Sequence, residues 1–419
     1  MESVMMIFKR QVIDEVTRYL PTGDIIVLHG ARQVGKTSIL MYLQNLLQNQ
    51  GNTTHYIDLE DSRYLAILNR GVDTFTNYLK EEGFDLETLN RTSQRLYVLI
   101  DEIQYLANPS PFLKLISDHH PYLKLVVSGS SSFGMKSKFT DSLVGRTVNF
   151  EIYPLSFQEM LLFRGITYVP GLPLSPKKTE ELRQAYIEFA LYGGYPKIVL
   201  TPGIEMKEKY LQQIIDTYIR KDIRDLAEIR DINRFNYLLE ILSSQSENLL
   251  NIAELANTCS LARATVERFL FLLEQTYVIR MVHPFSRNLR TELFKTPKVF
   301  FLDSGLMQMV WLKQLQKELL GSVFETTIFT ELVKRYGVQN VYFWRTTGQK
   351  EVDFVVRDAV RSTLLPVEAK LHFPRAVPTG LHAFLAAYPP AAEQPGQDAY
   401  KITGITGEPG EKMVFPWQL

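Results

Sequence analysis

The run His29-Gly30-Ala31-Arg32-Gln33-Val34-Gly35-Lys36-Thr37-Ser38 has the residue types and spacing that hold a polyphosphate. Gly30 and Gly35 let the backbone turn tightly, so that successive N–H groups point at one anion. A helix starting near Gly35 adds the positive end of its dipole. Lys36 would reach the β- and γ-phosphates, and the Thr37 hydroxyl would ligate Mg²⁺. The expected nucleotide contacts therefore run from Gly30 through Ser38, with ATP and Mg²⁺ as the cofactors. A second pair of groups suits the same chemistry. Leu96-Tyr97-Val98-Leu99-Ile100 is apolar, and it ends in Asp101-Glu102. A strand buried on both faces has no structural need for two adjacent carboxylates. Asp101 would hold Mg²⁺ through water, and Glu102 would take a proton from the attacking water.

Further candidates follow along the chain. Lys124-Leu125-Val126-Val127-Ser128-Gly129-Ser130-Ser131 reads as a strand ending in small polar residues. A hydroxyl at its tip could sense the γ-phosphate, and both Ser128 and Ser130 qualify; a serine-rich turn is the competing reading. Arg146, in Leu143-Val144-Gly145-Arg146, could reach a neighbouring subunit's γ-phosphate and so imply a homo-oligomer. Spacing alone leaves a solvated surface arginine equally open. Near the C-terminus, Glu368 and Lys370 lie two residues apart in one strand pattern, which places them on one face. Asp353, in the neighbouring strand pattern, would complete a set of two carboxylates and one ammonium. Such a set suits metal-assisted phosphodiester hydrolysis; a plain ion-pair cluster is the alternative.

The elements that must position these groups are legible as patterns. Phe8–Leu20 has helical spacing and is broken at Pro21-Thr22-Gly23-Asp24. Ile25-Ile26-Val27-Leu28 is the strand before the phosphate-binding run, and His55–Glu60 is another strand. Helical segments cover about 63–68 and 74–82. Residues 157–245 are mostly helical, broken at Pro170-Gly171-Leu172-Pro173 and Tyr192-Gly193-Gly194-Tyr195-Pro196, and include a long helix over 210–227. Its cluster Arg220-Lys221-Asp222-Ile223-Arg224 mixes acids with bases and reads as a solvated face. Helices at 251–256 and 261–270 followed by a strand at 277–282 form a winged-helix pattern. Arg263, Thr265 and Arg268 would face DNA if the module binds it. A helix over 321–335 and strands at 341–345, 351–356, 365–370 and 414–417 complete the chain, with 388–396 as a surface loop.

Residues 8–160 resemble the AAA-type ATPase module of many bacterial and archaeal proteins. The likeness rests on Gly30–Thr37, Tyr56-Ile57-Asp58-Leu59-Glu60, Leu99-Ile100-Asp101-Glu102-Ile103-Gln104, Ser128-Gly129-Ser130-Ser131, Leu143-Val144-Gly145-Arg146 and Pro154-Leu155-Ser156-Phe157-Gln158-Glu159. It implies an additional-strand P-loop NTPase fold, in which the strand ending at Ser128 lies between the P-loop strand and the Asp101 strand. Residues 298–419 resemble the PD-(D/E)xK nuclease fold, with Glu325 matching its helical acid. The expected organisation is an α/β ATPase domain at 1–155, a helical connector at 156–245, a winged helix at 246–297 and an α/β nuclease-like domain at 298–419.

Bulk properties narrow the partners. Lys plus Arg and Asp plus Glu both total 46 over 419 residues, so no global basic field announces nucleic acid. DNA contact would need a local patch on the winged helix or the nuclease-like module. The single cysteine, Cys259, excludes an intrachain disulfide. The N-terminal run lacks signal-peptide character and no stretch is apolar enough to span a membrane, so a cytoplasmic location without membrane contact is expected. His119-His120 has no cysteine or third histidine nearby and reads as structural. Three functions fit: an ATPase that drives a conformational switch or remodels a nucleic-acid or protein partner, an ATP-gated metal-dependent DNA nuclease, and a nucleotide-regulated DNA-binding switch with slow turnover.

Overall fold

The structure, a computed structural model, describes residues 7–92, 94–129, 143–222, 232–286, 296–358, 363–389 and 399–419. Ser130, the side chains of the cluster at 220–224 and residues 390–396 of the expected surface loop lie outside the described residues. The chain divides into two compact units. The first holds Met1–Tyr153 together with Gln275–Tyr277; the second holds Pro154–Glu274 and Val278–Leu419.

The first unit is built on a parallel sheet. Its strands are β1 (Ile25–Gly30), β2 (Thr53–Asp58), β3 (Leu96–Asp101), β4 (Leu123–Gly129) and β5 (Thr147–Ile152), in the order β2-β3-β4-β1-β5. The continuous apolar runs of β1, β3 and β4 occupy the centre, where both faces are covered. The more polar β2 and β5 form the edges. β4 pairs with β3 on one side and β1 on the other, as the resemblance implies. This order brings the ends of β1, β3 and β4 side by side. Val27, Ile57, Val98, Ile100 and Val127 join Phe75 and Phe112 from flanking helices in one core.

Several elements of the first unit and its return segment differ from the sequence reading. The first helix covers only Val12–Tyr19, entered through a turn in which the Ile13 and Asp14 N–H groups donate to the Arg10 and Gln11 carbonyls. Strand β5 and the helices Leu86–Thr92 and Pro109–His119 were not expected; β5 has the polar–apolar alternation of an edge strand instead of an unbroken apolar run. Tyr277 does not begin a strand: its φ is 59°, and the strand starts at Ile279.

The second unit opens with helices at Phe157–Phe163, Pro176–Tyr192 and Ile204–Ile214, the last continuing into π-helical turns over Ile215–Asp222. Ser156 and Glu159 form a reciprocal capping box at the first of these. Helices Ile232–Ser244, Ile252–Thr258 and Arg263–Gln275 precede β6 (Ile279–Val282), which pairs antiparallel with β7 (Lys298–Phe301). β7 thus joins the preceding strand and not the last sheet. That sheet contains β8 (Val341–Arg345), β9 (Glu351–Asp358), β10 (Thr363–Ala369), β11 (Lys401–Thr403) and β12 (Met413–Val414), in the order β12-β11-β10-β9-β8. β8, β9 and β10 are antiparallel, and β11 and β12 run parallel to β10. Pro416–Gln418 is a 3₁₀ turn, so the expected final strand stops at Val414. Helix Gly321–Tyr336 packs Phe329 against Phe300 and Phe354, with ring centroids 4.4 and 6.2 Å away.

Candidate functional site

The Gly30–Ser38 run expected to bind phosphate leaves the C-terminal end of β1. A Cβ on Gly30 would lie 2.1 Å from the Ile152 carbonyl oxygen, so the residue must be glycine for β5 to approach. Gly35 has φ 96° and caps helix Lys36–Asn49, whose first N–H groups open into the loop. Lys36 is 5% exposed and donates to the carbonyls of Ala31 (2.7 Å) and Gly30 (3.2 Å). Burial pulls its ammonium down to about 8, although Glu102 and Asp101 favour the charged form.

Asp101 sits at the tip of β3 and gathers polar partners. Thr37 Oγ1 donates to its Oδ2 at 2.5 Å, Tyr56 donates to the same oxygen at 3.1 Å, and Ser128 Oγ donates to Oδ1. The next residue, Glu102, is left-handed, with φ 55°. Its N–H approaches Asp101 Oδ1 at 3.1 Å and Ser128 Oγ at 3.4 Å, and its carboxylate accepts from the Gln104 amide. Burial raises the Glu102 carboxyl above its ordinary range, while Lys36 opposes that rise. A hydroxyl and a carboxylate converging on one point suit a small hard cation that keeps most of its waters. Tyr56 belongs to this constellation and was not expected. Its position at the end of a parallel strand, beside the Asp101 strand, was the available signal.

Arg146 lies elsewhere. The register pairs Ile25 with Thr147 and Gly30 with Ile152, so Arg146 stands at the N-terminal edge of the sheet and the loop leaves from the opposite edge. Its guanidinium Nε contacts Asp118 Oδ1 at 2.7 Å.

In the second unit, Asp353 on β9 and Glu368 on β10 come together beneath Lys370. Lys370 Nζ stands 2.9 Å from Asp353 Oδ2 and 3.0 Å from Glu368 Oε1. Asp353 also accepts the Ala369 N–H at 2.9 Å. Burial, and then Asp353, push Glu368 up to about 7, and burial followed by Asp353 holds Glu325 well above the usual carboxylate range. The four residues singled out from sequence therefore share one polar cluster, with its carboxylates buried and Lys370 at its open side. Three more join it. Glu247, left-handed at φ 76°, faces Glu325 and Lys298. Lys298 Nζ stands 3.7 Å from Glu325 and 2.5 Å from Glu351. No local motif surrounds Glu247, so only the fold reveals it. Among the described residues, no group of three or more His, Cys, Asp and Glu side chains is arranged to hold a metal ion.

A family profile described as an AAA domain matches residues 22–161. This match implies nucleotide binding and suggests NTP hydrolysis, and the matched residues contain the parallel five-stranded sheet described above. Two further profiles match beyond the AAA domain: Domain of unknown function (DUF8612) over 183–318 and Domain of unknown function (DUF4143) over 320–406. The chain is similar to an uncharacterised protein of Haemophilus influenzae, 24% identical over 365 residues and covering 85% of each chain. It is also similar to one of Methanocaldococcus jannaschii, 27% identical over 356 residues, covering 83% of this chain and 76% of the other. Among solved structures, a Walker-type ATPase of Pyrococcus abyssi matches with a TM-score of 0.48 and 16% identity, over 73% of this chain and 96% of that one. Among the described residues, no helix is long and apolar enough to cross a membrane.

Proposed function

We propose that the AAA domain hydrolyses ATP to drive a conformational switch or to remodel a nucleic-acid or protein partner. The observation that carries this is the convergence of Thr37 and Asp101 at 2.5 Å beside buried Lys36. Thr37 and Asp101 would hold Mg²⁺, directly and through water. The ion, when bound, offsets phosphate charge during transfer. The loop N–H groups and Lys36 bind the phosphates. Glu102 orients water and accepts its proton at a carboxylate oxygen; the water oxygen bonds to the γ-phosphorus, and the bond from that phosphorus to the β,γ-bridging oxygen breaks. A carboxyl raised by burial is the stronger base for this step. Ser128, bonded to Asp101, is the sensor this geometry favours.

The test uses two variants. Lys36→Ala should weaken ATP binding. Glu102→Gln should keep binding while turnover falls about a hundredfold or more, the scale for losing a general base. Undiminished turnover in Glu102→Gln would remove that residue from the mechanism.

A second reading has its own observation. Lys370 bridges Asp353 and Glu368 at one end of a mixed sheet, with Glu325 from helix Gly321–Tyr336 in the same cluster. That arrangement supports a nuclease-like module, gated by ATP, in which the two carboxylates hold a divalent cation and Lys370 orients a water. The helices Ile252–Thr258 and Arg263–Gln275 with β6 and β7 support a winged helix that could bring DNA to it. Metal-dependent cleavage of supercoiled DNA that disappears in Lys370→Ala supports this reading. An intact substrate across Mg²⁺ and Mn²⁺, with and without ATP, refutes it.

A further inference from the structure

One polar chain in the first unit, buried at Arg10, His29 and Tyr277 and half-buried at Glu151 and Tyr153, takes no direct part in the chemistry above. His29 is the last residue of β1 before Gly30. Its Nδ1 lies 2.5 Å from the hydroxyl of Tyr277, 248 residues away in sequence. That hydroxyl donates to Glu151 Oε1 at 3.3 Å, so His29 is the donor in the first bond. Glu151 Oε2 accepts from the Tyr153 hydroxyl at 2.5 Å. The Tyr153 carbonyl accepts from Arg10 Nη2 at 2.9 Å, and Arg10 Nη1 donates at 2.7 Å to the carbonyl of Val34, inside the phosphate-binding loop. The chain thus starts at the strand residue that launches the loop and ends on the loop itself.

The geometry points to Tyr277 as a positioning residue of the nucleotide site, which it supports through His29 on one side and through Glu151, Tyr153, Arg10 and Val34 on the other. Three features single it out. Tyr277 is only 4% exposed, and its hydroxyl bridges His29 and Glu151. Its backbone is left-handed, with φ 59°, a conformation that disfavours every side chain with a Cβ. A glycine would relieve that strain but could not supply the hydroxyl. Its ring also packs edge-on against Tyr153, with centroids 6.0 Å apart. Gln275–Tyr277 belongs by its contacts to the first unit, although the residues on either side belong to the second. The loop that must present its N–H groups to a polyphosphate is therefore braced by a residue from far along the chain.

This inference rests on the reading that nucleotide binds at the loop, and the experiment separates the two. The full chain is titrated with Mg²⁺ and a fluorescent ATP analogue, and turnover and the melting temperature without nucleotide are recorded for each variant. Tyr277→Phe keeps the ring and removes the bridge. It should raise the dissociation constant and KM about tenfold, the scale of one well-placed hydrogen bond, with kcat within about threefold. The melting temperature without nucleotide should fall by no more than several degrees, the cost of withdrawing one buried hydrogen-bond partner. His29→Leu should reproduce that loss, and the His29→Leu/Tyr277→Phe double variant should be no weaker than either alone. His29→Asn, whose amide can stand in for Nδ1, should restore most of the affinity. The inference is overturned if Tyr277→Phe binds as wild type, if its melting temperature falls while its affinity holds, or if the two substitutions act independently. If Lys36→Ala binds as tightly as wild type, nucleotide is not at the loop and both readings fall. If Lys36→Ala loses binding and Tyr277→Phe does not, only the role of Tyr277 falls.

Discussion

Two carboxyls, one in each unit, respond to burial in opposite functional senses. Glu102 lies beside Lys36, whose charge offsets part of the burial that raises it, and it remains a base that can accept a proton. Glu368 is 4% exposed and lies beside Asp353, and its carboxyl rises from 4.5 to about 7. A carboxyl raised on folding holds its proton in the folded chain after the unfolded chain has lost it. Its contribution is complete below about pH 4.5 and is lost as pH rises through about 7. Glu368→Gln removes the charge that becomes unfavourable. The variant should therefore be more stable than wild type at pH 8, by at most about 3 kcal/mol, and should lose most of this advantage near pH 5. Urea unfolding at the two pH values checks this, and equal midpoints at both would show that Glu368 does not titrate as the cluster geometry requires.

At the scale of elements, what was legible in the sequence depended on where each strand lies in its sheet. β1, β3 and β4 are buried throughout, so unbroken apolar runs announce them and the chemical groups at their ends. β5 is an edge strand, and Thr147-Val148-Asn149-Phe150-Glu151-Ile152 alternates polar with apolar residues, a period-two signal that the search for unbroken apolar runs passed over. Yet β5 supplies Glu151 and presses Ile152 against Gly30. Contacts such as Glu247 with Glu325, or Tyr277 with His29, join residues with no shared periodicity, and no spacing rule connects them. The Gly-Gly-Tyr-Pro break read as a turn has a closer purpose. Gly194 donates its N–H to buried Asp303 at 2.8 Å, and its carbonyl accepts from Leu155 at 2.7 Å. A Cβ there would stand 2.4 Å from the Leu155 oxygen, a backbone atom that cannot move aside alone. Gly194→Ala should cost about 2–4 kcal/mol, in the range of overpacking with a broken buried hydrogen bond. The unfolding midpoint measures this, and a change within error would mean that the turn relaxes freely.

For the whole molecule, a role for Arg146 depends on assembly. It stands at the sheet edge away from its own phosphate-binding loop, so any contact with a γ-phosphate must be made to another subunit. Arg146→Ala should slow turnover with little change in ATP affinity. Mixing it with Lys36→Ala protein should restore part of the activity, because each supplies what the other lacks. A protein that stays monomeric with ATP, and mixtures without rescue, would leave Arg146 as the partner of Asp118 alone.

The return of Gln275–Tyr277 to the first unit sets an order of events during synthesis. Every strand of the parallel sheet has left the ribosome once Ile152 emerges, but the brace on His29 is not yet made. More than a hundred further residues must be translated before Tyr277 can dock, which at typical elongation rates is on the order of ten seconds. Through that interval the nascent sheet carries an unbraced loop, and affinity for nucleotide should rise on ribosome-bound chains only after residue 277 is exposed.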